Sequence, residues 1–279
     1  MSPVDIPLLI TATFDAGKAP YVALSGIEER VEKHMQGLLA WLKDGSFRKI
    51  VFVKNCTTQT RSDVLEKTAS RYGAELEYIT VKSSHRTQLQ GKGFGEGDLI
   101  RQAIEQSEIL RDSDEFFKIT GKLYSPDVSR LFFGHSNGEF LMSSYAEKNG
   151  NGWMRELVSP LYRREIGSGF MGWMRFYGHI PWGMIASSPR GSIDTRLYRV
   201  RRDYYKEKLL FSYRRVQDSL GYSLENVVFD DVFGDKTIRL IKELPVILGT
   251  SGTLGTTAGS YTEEIQEQAK QLTIDLMTL

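Results

Sequence analysis

An α/β fold, with a mostly parallel central sheet and helices on both faces, is the architecture this sequence predicts. Two observations carry it. Short β-branched, apolar runs alternate with longer stretches of helical periodicity through the N-terminal half. The runs tend to end in small polar residues or glycine, as strand ends do. Alternation of this kind lays parallel strands side by side, with crossover helices covering the sheet.

Pro7 to Thr13 (PLLITAT) reads as a buried strand. Ile27, Val31, Met35, Leu38 and Leu42 recur at helical spacing and predict a helix from Ile27 to Lys43. Lys49 to Asn55 (KIVFVKN) is the second strand, Arg61 to Tyr72 a helix stopped by Gly73, and Glu75 to Val81 the third strand. A glycine-rich loop, Gly91 to Gly97, opens a helix from Gly97 to Leu110, and Glu115 to Thr120 is the fourth strand. The second half is less regular. Leu131–Phe133 and Phe140–Ser144 read as a hairpin across Gly134–Gly138, and Tyr204 to Asp218 as a helix. Gly167 to Gly183 is rich in glycine and aromatics, Gly249 to Ser260 reads as a loop, and Tyr261 to Leu279 as a terminal amphipathic helix. No internal repeat or long linker divides the chain. The expectation is one unit over 1–279, a regular α/β half (1–125) followed by a less regular half (126–279).

Composition narrows the function. The 279 residues are 41% hydrophobic and 25% charged, ordinary for a soluble globular chain. A net charge of +1 gives no electrostatic case for nucleic acid. Cys56 is the only cysteine, which excludes an intramolecular disulfide and a cysteine-based zinc site. The four histidines lack metal-ligand spacing, and no Gly-x-Ser-x-Gly elbow occurs. No signal peptide and no membrane-spanning run is read, so the expected location is cytoplasmic.

Ligands of open α/β sheets bind beyond the carboxyl ends of the strands. Here those ends carry Thr11, Thr13 and Phe14, then Asn55, then the Gly91–Gly97 loop, then Lys118-Ile119-Thr120-Gly121-Lys122. Glycines before a helix let a ligand approach the backbone, and free N–H groups at a helix start favour anions. Gly91, Lys92, Gly93, Gly95, Lys118 and Lys122 are therefore the candidate phosphate-binding residues. Thr11, Thr13 and Asn55 are candidates for reading a nucleobase edge, with Phe14 as a stacking surface. The loop is neither a Walker A loop nor a dinucleotide fingerprint.

The order strand, Gly-Lys-Gly-Phe-Gly-Glu, helix, strand, Lys-Ile-Thr-Gly-Lys resembles two related patterns. One is the layout of nucleotide-sugar glycosyltransferases of the type A fold. The other is a set of bacterial surface-polysaccharide (capsule or O-antigen, lipopolysaccharide) glycosyltransferases. Further likeness to that set lies in Asp194-Thr195-Arg196-Leu197-Tyr198, Gly221-Tyr222-Ser223-Leu224-Glu225 and Leu248-Gly249-Thr250-Ser251-Gly252. The resemblance implies a nucleotide-sugar donor, bound by the half 1–125, and a glycan or lipid-linked glycan acceptor, bound by the half 126–279. One departure matters: Lys118–Lys122 stands where the type A fold carries a metal-binding Asp-x-Asp. An ammonium does not ligate a divalent metal, but it neutralises phosphate directly. No metal cofactor is therefore expected, and Lys118 or Lys122 is expected to take the metal's electrostatic role. Asp112-Ser113-Asp114 is a literal Asp-x-Asp but reads as a helix-to-strand turn.

The resemblance places the general base at Glu225, with Asp230 and Asp231 as alternates, Asp194 behind them, and Asp230-Asp231 as the rival metal site. Between Tyr162 and Arg215, arginines interleave with aromatics, a composition that suits sugars, phosphates or a peripheral contact with anionic lipid. The competing readings are a nucleotidyltransferase, which shares the strand order, and a non-catalytic glycan- or membrane-binding protein.

Overall fold

The computed structural model describes residues 5–15, 26–55, 60–82, 84–133, 140–142, 145–147, 191–218, 221–241, 243–250 and 259–278. Four parallel strands form its centre: β1 (Leu8–Thr13), β2 (Lys49–Asn55), β3 (Glu75–Val81) and β4 (Glu115–Thr120). They lie in the order β3-β2-β1-β4. The chain steps one way from β1 to β2 and β3, then returns to the other side of β1 with β4. That reversal makes the carboxyl ends of β1 and β4 the topological switch point, where α/β sheets open a crevice for ligands. Strand β9 (Leu197–Arg201) adds antiparallel to β4. Beyond it lie β6 (Phe140–Met142) and β10 (Ile238–Leu240), completing seven strands among the described residues, while β7 (Tyr145–Glu147) and β8 (Gly191–Ile193) form a separate antiparallel pair.

Strand alternation divides the interior into two cores. Leu8, Ile10, Ala12, Phe117 and Ile119 face helix α1 (Ile27–Asp44) and the C-terminal helix α9 (Glu263–Met277). Leu9, Val51, Val53 and Phe116 face helix α4 (Lys92–Gln106) and helix α8 (Leu224–Val232). The last helix of the chain therefore completes the N-terminal core. Helix α1 stops at Gly45, whose φ of 68° supplies a left-handed cap.

Several expectations need correction. The segment read as a glycine-rich loop is helical: α3 (His85–Gln90) is followed after Gly91 by α4, which begins at Lys92 rather than Gly97. It ends at Gln106, and Ser107 caps a further short turn, α5 (Glu108–Arg111), by accepting the Leu110 N–H at 2.9 Å. Gly93, Gly95 and Gly97 are poor helix formers by propensity, but each is a close-packing point. A Cβ on Gly97 would stand 2.1 Å from Cβ of Tyr213, and one on Gly95 2.7 Å from Thr87. The expected hairpin strand at Leu131–Phe133 is instead part of helix α6 (Val128–Phe132), because a three-residue apolar run carries no period of its own. The expected helix from Tyr204 to Asp218 is broken. A single turn, α7 (Arg202–Tyr204), passes into a π turn at Tyr205–Leu209 and a 3-10 turn at Ser212–Arg215. Gly249 belongs to the short strand β11 (Leu248–Gly249), antiparallel to β5 (Leu123–Tyr124). Gly167–Gly183 and most of the Gly249–Ser260 loop lie outside the described residues.

Candidate functional site

The two lysines at the end of β4 have opposite environments. Lys118 lies in the strand with its side chain toward α4, and it is fully buried. Its ammonium donates to Oε1 of Glu96, to the carbonyl of Thr195 at 2.7 Å and to Oγ1 of Thr120 at 3.1 Å. The Tyr198 ring lies beneath it, 5.7 Å from Nζ. Three acceptors leave this cation no donor free for a phosphate, so the expected role of Lys118 in the metal's place is withdrawn.

Lys122 follows the strand by one tight turn. It is only 4% exposed, yet its ammonium has no hydrogen-bond partner among the described residues. Burial, with Arg30 and Lys92 nearby, pushes it down to about 8, so at neutral pH it still carries its charge. Its backbone is clamped from several sides. The Tyr261 hydroxyl donates to the Lys122 carbonyl at 2.8 Å, and the Trp41 indole N–H donates to the next carbonyl, Leu123, at 2.9 Å. A Cβ on Gly37 of α1 would stand 2.3 Å from the Gly121 carbonyl oxygen. A Cβ on Gly249 would stand 2.1 Å from that of Lys122, and Gly249 has a φ of +115° that only glycine tolerates well. The described residues thus hold a buried cation at the switch point without neutralising it by hydrogen bonding.

Beside Lys122 lie Arg30 and His34 of α1, both buried. Arg30 donates from Nε at 2.8 Å to the carbonyl of Thr13, which is how Thr13 enters the site: through its backbone. Burial, together with Lys122 and Arg30, holds His34 well below the usual imidazole range, and it stays neutral. Phe14 is wholly buried against Phe52 and His34, which leaves it no open face for a nucleobase and removes its expected stacking role. Asn55 is buried at the end of β2, donating to the Asp15 carbonyl at 2.7 Å.

Glu96, not singled out in the sequence, is the hub on the opposite wall. Its Oε1 accepts from Lys118, from Thr11 at 3.2 Å and from Thr120 at 2.8 Å. The parallel register explains the convergence: Leu9 pairs with Lys118 and Thr11 with Thr120, so all three donors share the α4 face. Burial pushes Glu96 up, but Lys118 and Thr120 pull harder, and it ends below the ordinary glutamate range. Its position directly after Gly95 was the available signal.

The start of α4 is not an open anion site. The Gly93 N–H donates at 2.9 Å to Oδ2 of Asp218, so a carboxylate of this chain already occupies the positive end of the helix dipole. A Cβ on Gly91 would stand 2.3 Å from that oxygen, and Gly91 has a φ of +103°. Gly91, Gly93 and Gly95 are thus explained by packing rather than by a bound phosphate. Burial and the neighbouring Glu225 raise Asp218 to about 6, against the pull of the Gly93 N–H.

Glu225 stands in the first turn of α8, where Ser223 and Asn226 form a capping box. It is half-buried and accepts from the Thr195 hydroxyl at 3.3 Å. Asp194 is engaged by the backbone N–H and guanidinium of Arg196, the latter as close as 2.7 Å. The two alternates fare differently. Asp231 is buried and bound by Arg215 and Ser212, which removes it as a base. Asp230 accepts from the Tyr222 hydroxyl at 2.5 Å. Consecutive helical residues point apart, and with these partners the pair does not fit a divalent metal. Among the described residues no three histidine, cysteine or acidic side chains cluster as ligands. The described arginines of the basic segment are largely committed too: Arg199 to Glu115, and Arg215 to Asp231.

No protein-family model and no curated protein matches the chain. Solved structures do. The galactosyltransferase LgtC, in complex with donor and acceptor sugar analogues, matches at TM-score 0.50 and 7% identity, covering 98% of this chain and 97% of that one. The inositol-1-phosphate CTP transferase from T. maritima matches at TM-score 0.48 and 11% identity over 98% of each chain. TarS from S. aureus, in complex with UDP, matches at TM-score 0.45 and 11% identity, covering 99% of this chain and 67% of that one. At such identities the likeness shows the fold alone: an α/β fold like that of the galactosyltransferase LgtC.

Proposed function

We propose that this protein is a glycosyltransferase that moves a sugar from a nucleotide-activated donor to a growing bacterial cell-surface glycan. The observation that carries the reading is Lys122. A charged ammonium without a hydrogen-bond partner among the described residues, held by a clamped turn at the switch point, is suited to the diphosphate of a donor. It would take the electrostatic part that a divalent metal takes at an Asp-x-Asp. In an inverting reaction, the acceptor oxygen bonds to the anomeric carbon as the carbon–oxygen bond to phosphate breaks. The bonding pair leaves with the nucleoside diphosphate, whose growing charge Lys122 stabilises. Glu225 takes the acceptor proton. Thr11, Thr13 and Asn55 line the strand ends where the nucleoside would lie, and Lys92 adds positive charge beside Lys122. The acceptor is a glycan or lipid-linked glycan, met at the inner face of the membrane. Among the described residues, no helix is long and apolar enough to cross a membrane.

A thermal-shift panel of UDP, GDP, dTDP and CMP, each with Mn²⁺ or with EDTA, tests the reading. Ligand at a hundred times its Kd stabilises the native state by about 2.7 kcal/mol. One nucleotide should raise Tm equally in both conditions. No shift with any nucleotide would overturn the reading. A shift only with Mn²⁺, accompanied by pyrophosphate release from a nucleoside triphosphate, would identify a nucleotidyltransferase instead. With the donor known, Glu225→Gln should lower kcat by about a hundredfold or more and leave donor binding intact. Near-normal turnover would remove Glu225 as the base.

A further inference from the structure

Glu96 has a second carboxylate oxygen that the described residues leave unused. Thr11, Lys118 and Thr120 all converge on Oε1, and among the described residues no donor reaches Oε2. The side chain is 21% exposed and Oε2 is not sealed from solvent, so this oxygen opens to the outside. The carboxylate cannot swing away, because three donors on two adjacent strands pin its partner oxygen. It also stays ionised near neutral pH, since Lys118 holds one end of it in a buried pair. The result is a rigid, charged, acceptor-only group within electrostatic reach of Lys122.

Such a group repels phosphate oxygens and accepts from hydroxyls. We infer that Glu96 is a binding residue for a vicinal hydroxyl pair on the same ligand whose phosphates meet Lys122. The inference rests on the proposed function and deepens it. Lys122 selects the anionic part of the donor, and Glu96 reads a polyol part, either the ribose or the transferred sugar. A site built to hydrogen-bond a hydroxyl discriminates strongly against an analogue that lacks it, because the acceptor then stays desolvated and unpaired.

The test is a set of affinities measured by calorimetry. Its ligands are the preferred nucleoside diphosphate, its 2′-deoxy and 3′-deoxy forms, the matching sugar nucleotide with and without its sugar 2-hydroxyl, and pyrophosphate. Glu96→Gln alone leaves Lys118 buried without its counter-ion, so the double variant Glu96→Gln/Lys118→Met, which removes both charges, is measured beside it. Native protein should bind one deoxy analogue about ten- to a hundredfold more weakly than its parent. A deficit in the nucleotide arm assigns the ribose, and one in the sugar arm assigns the transferred sugar. The folded double variant should lose that discrimination while binding pyrophosphate as the native protein does. A merely structural Glu96 would not change the ratio, so retained discrimination in the double variant overturns the role of Glu96. Absence of deoxy discrimination in the native protein overturns it as well. Failure of native protein to bind any nucleotide or pyrophosphate overturns the underlying donor-site reading instead, and the inference with it.

Discussion

The start of α4 and the end of β4 look alike in the sequence, since each sets glycine beside lysine. They differ in what the fold does with them. At the start of α4, every feature that suggests an anion site has a partner inside the protein. Asp218 takes the helix N–H, and the glycines receive Thr87, Asp218 and Tyr213 at contact distance. At the end of β4 the reverse holds. The backbone of Gly121–Lys122 is clamped by Gly37, Tyr261 and Gly249, while the charge it carries has no hydrogen-bond partner among the described residues. Glycines permit close approach wherever it is needed, and helix packing needs it as often as a ligand does. A buried cation lacking a partner costs stability, so its retention is the more specific sign of a ligand site.

The largest expected effect tests that contrast directly. Lys122→Met should abolish nucleotide binding, weakening it by more than about a hundredfold, and yet raise Tm. The sign follows from linkage. Burial, with Arg30 and Lys92 nearby, pushes Lys122 down to about 8 in the native state from the ordinary lysine value of 10.5, so the unfolded chain binds more protons between those values. The native protein is therefore penalised below pH 8, and the penalty fades as pH rises toward 10.5. Its size is roughly 3 kcal/mol at neutral pH by the 1.36 kcal/mol per unit conversion. Urea unfolding of native protein and variant from pH 7 to 10 measures it, and a variant less stable than native at pH 7 would contradict the account.

Gly91→Ala should behave in the opposite way. The new Cβ meets Asp218 at 2.3 Å on a backbone with positive φ, so it should destabilise by about 2–3 kcal/mol. Nucleotide affinity of the folded fraction should stay within about twofold, as expected for a packing residue. A loss of affinity with unchanged stability would return Gly91 to the binding site.

The smallest effect concerns Asp218. Its carboxyl is raised to about 6, so the native state holds the proton more tightly than the unfolded chain. Stability should fall as pH rises from about 4 to 6 on this account. Asp218→Asn keeps an acceptor for the Gly93 N–H, should flatten that slope, and should stabilise by about 1 kcal/mol at pH 7. An unchanged slope between pH 4 and 6 would show that another group sets it.

The strands β1 to β4 were legible because each is a short, β-branched run whose composition needs no context. Their bounds in the structure agree with the sequence reading within a residue. Helix α1 was legible from its period, and helix α2 (Ser62–Arg71) from Gly73, the glycine read as its stop. Helix α4 was not, because Gly93, Gly95 and Gly97 argue locally against helix, and only contacts with Thr87 and with distant Asp218 and Tyr213 reverse that. The candidate site was half legible. The ends of β1 and β4 were named, and Glu96 stood in the quoted Gly-Lys-Gly-Phe-Gly-Glu string without a role, but Arg30 and His34 were missed, since a charged or polar residue on a helix carries no mark of its inward face. Phe14 was misplaced for the same reason in reverse.

The sequence by itself determined the alternation of strands and helices, and with it a parallel sheet whose carboxyl ends bear threonines and lysines. Only the tertiary structure decided between Lys118 and Lys122. Both are lysines at one strand end, but the pleat turns Lys118 inward to Glu96, Thr120 and the Thr195 carbonyl, whereas the turn at Gly121 carries Lys122 clear of them. Periodicity is a property of neighbours along the chain. Whether a charge is neutralised depends on groups far away in sequence, which only folding brings within reach.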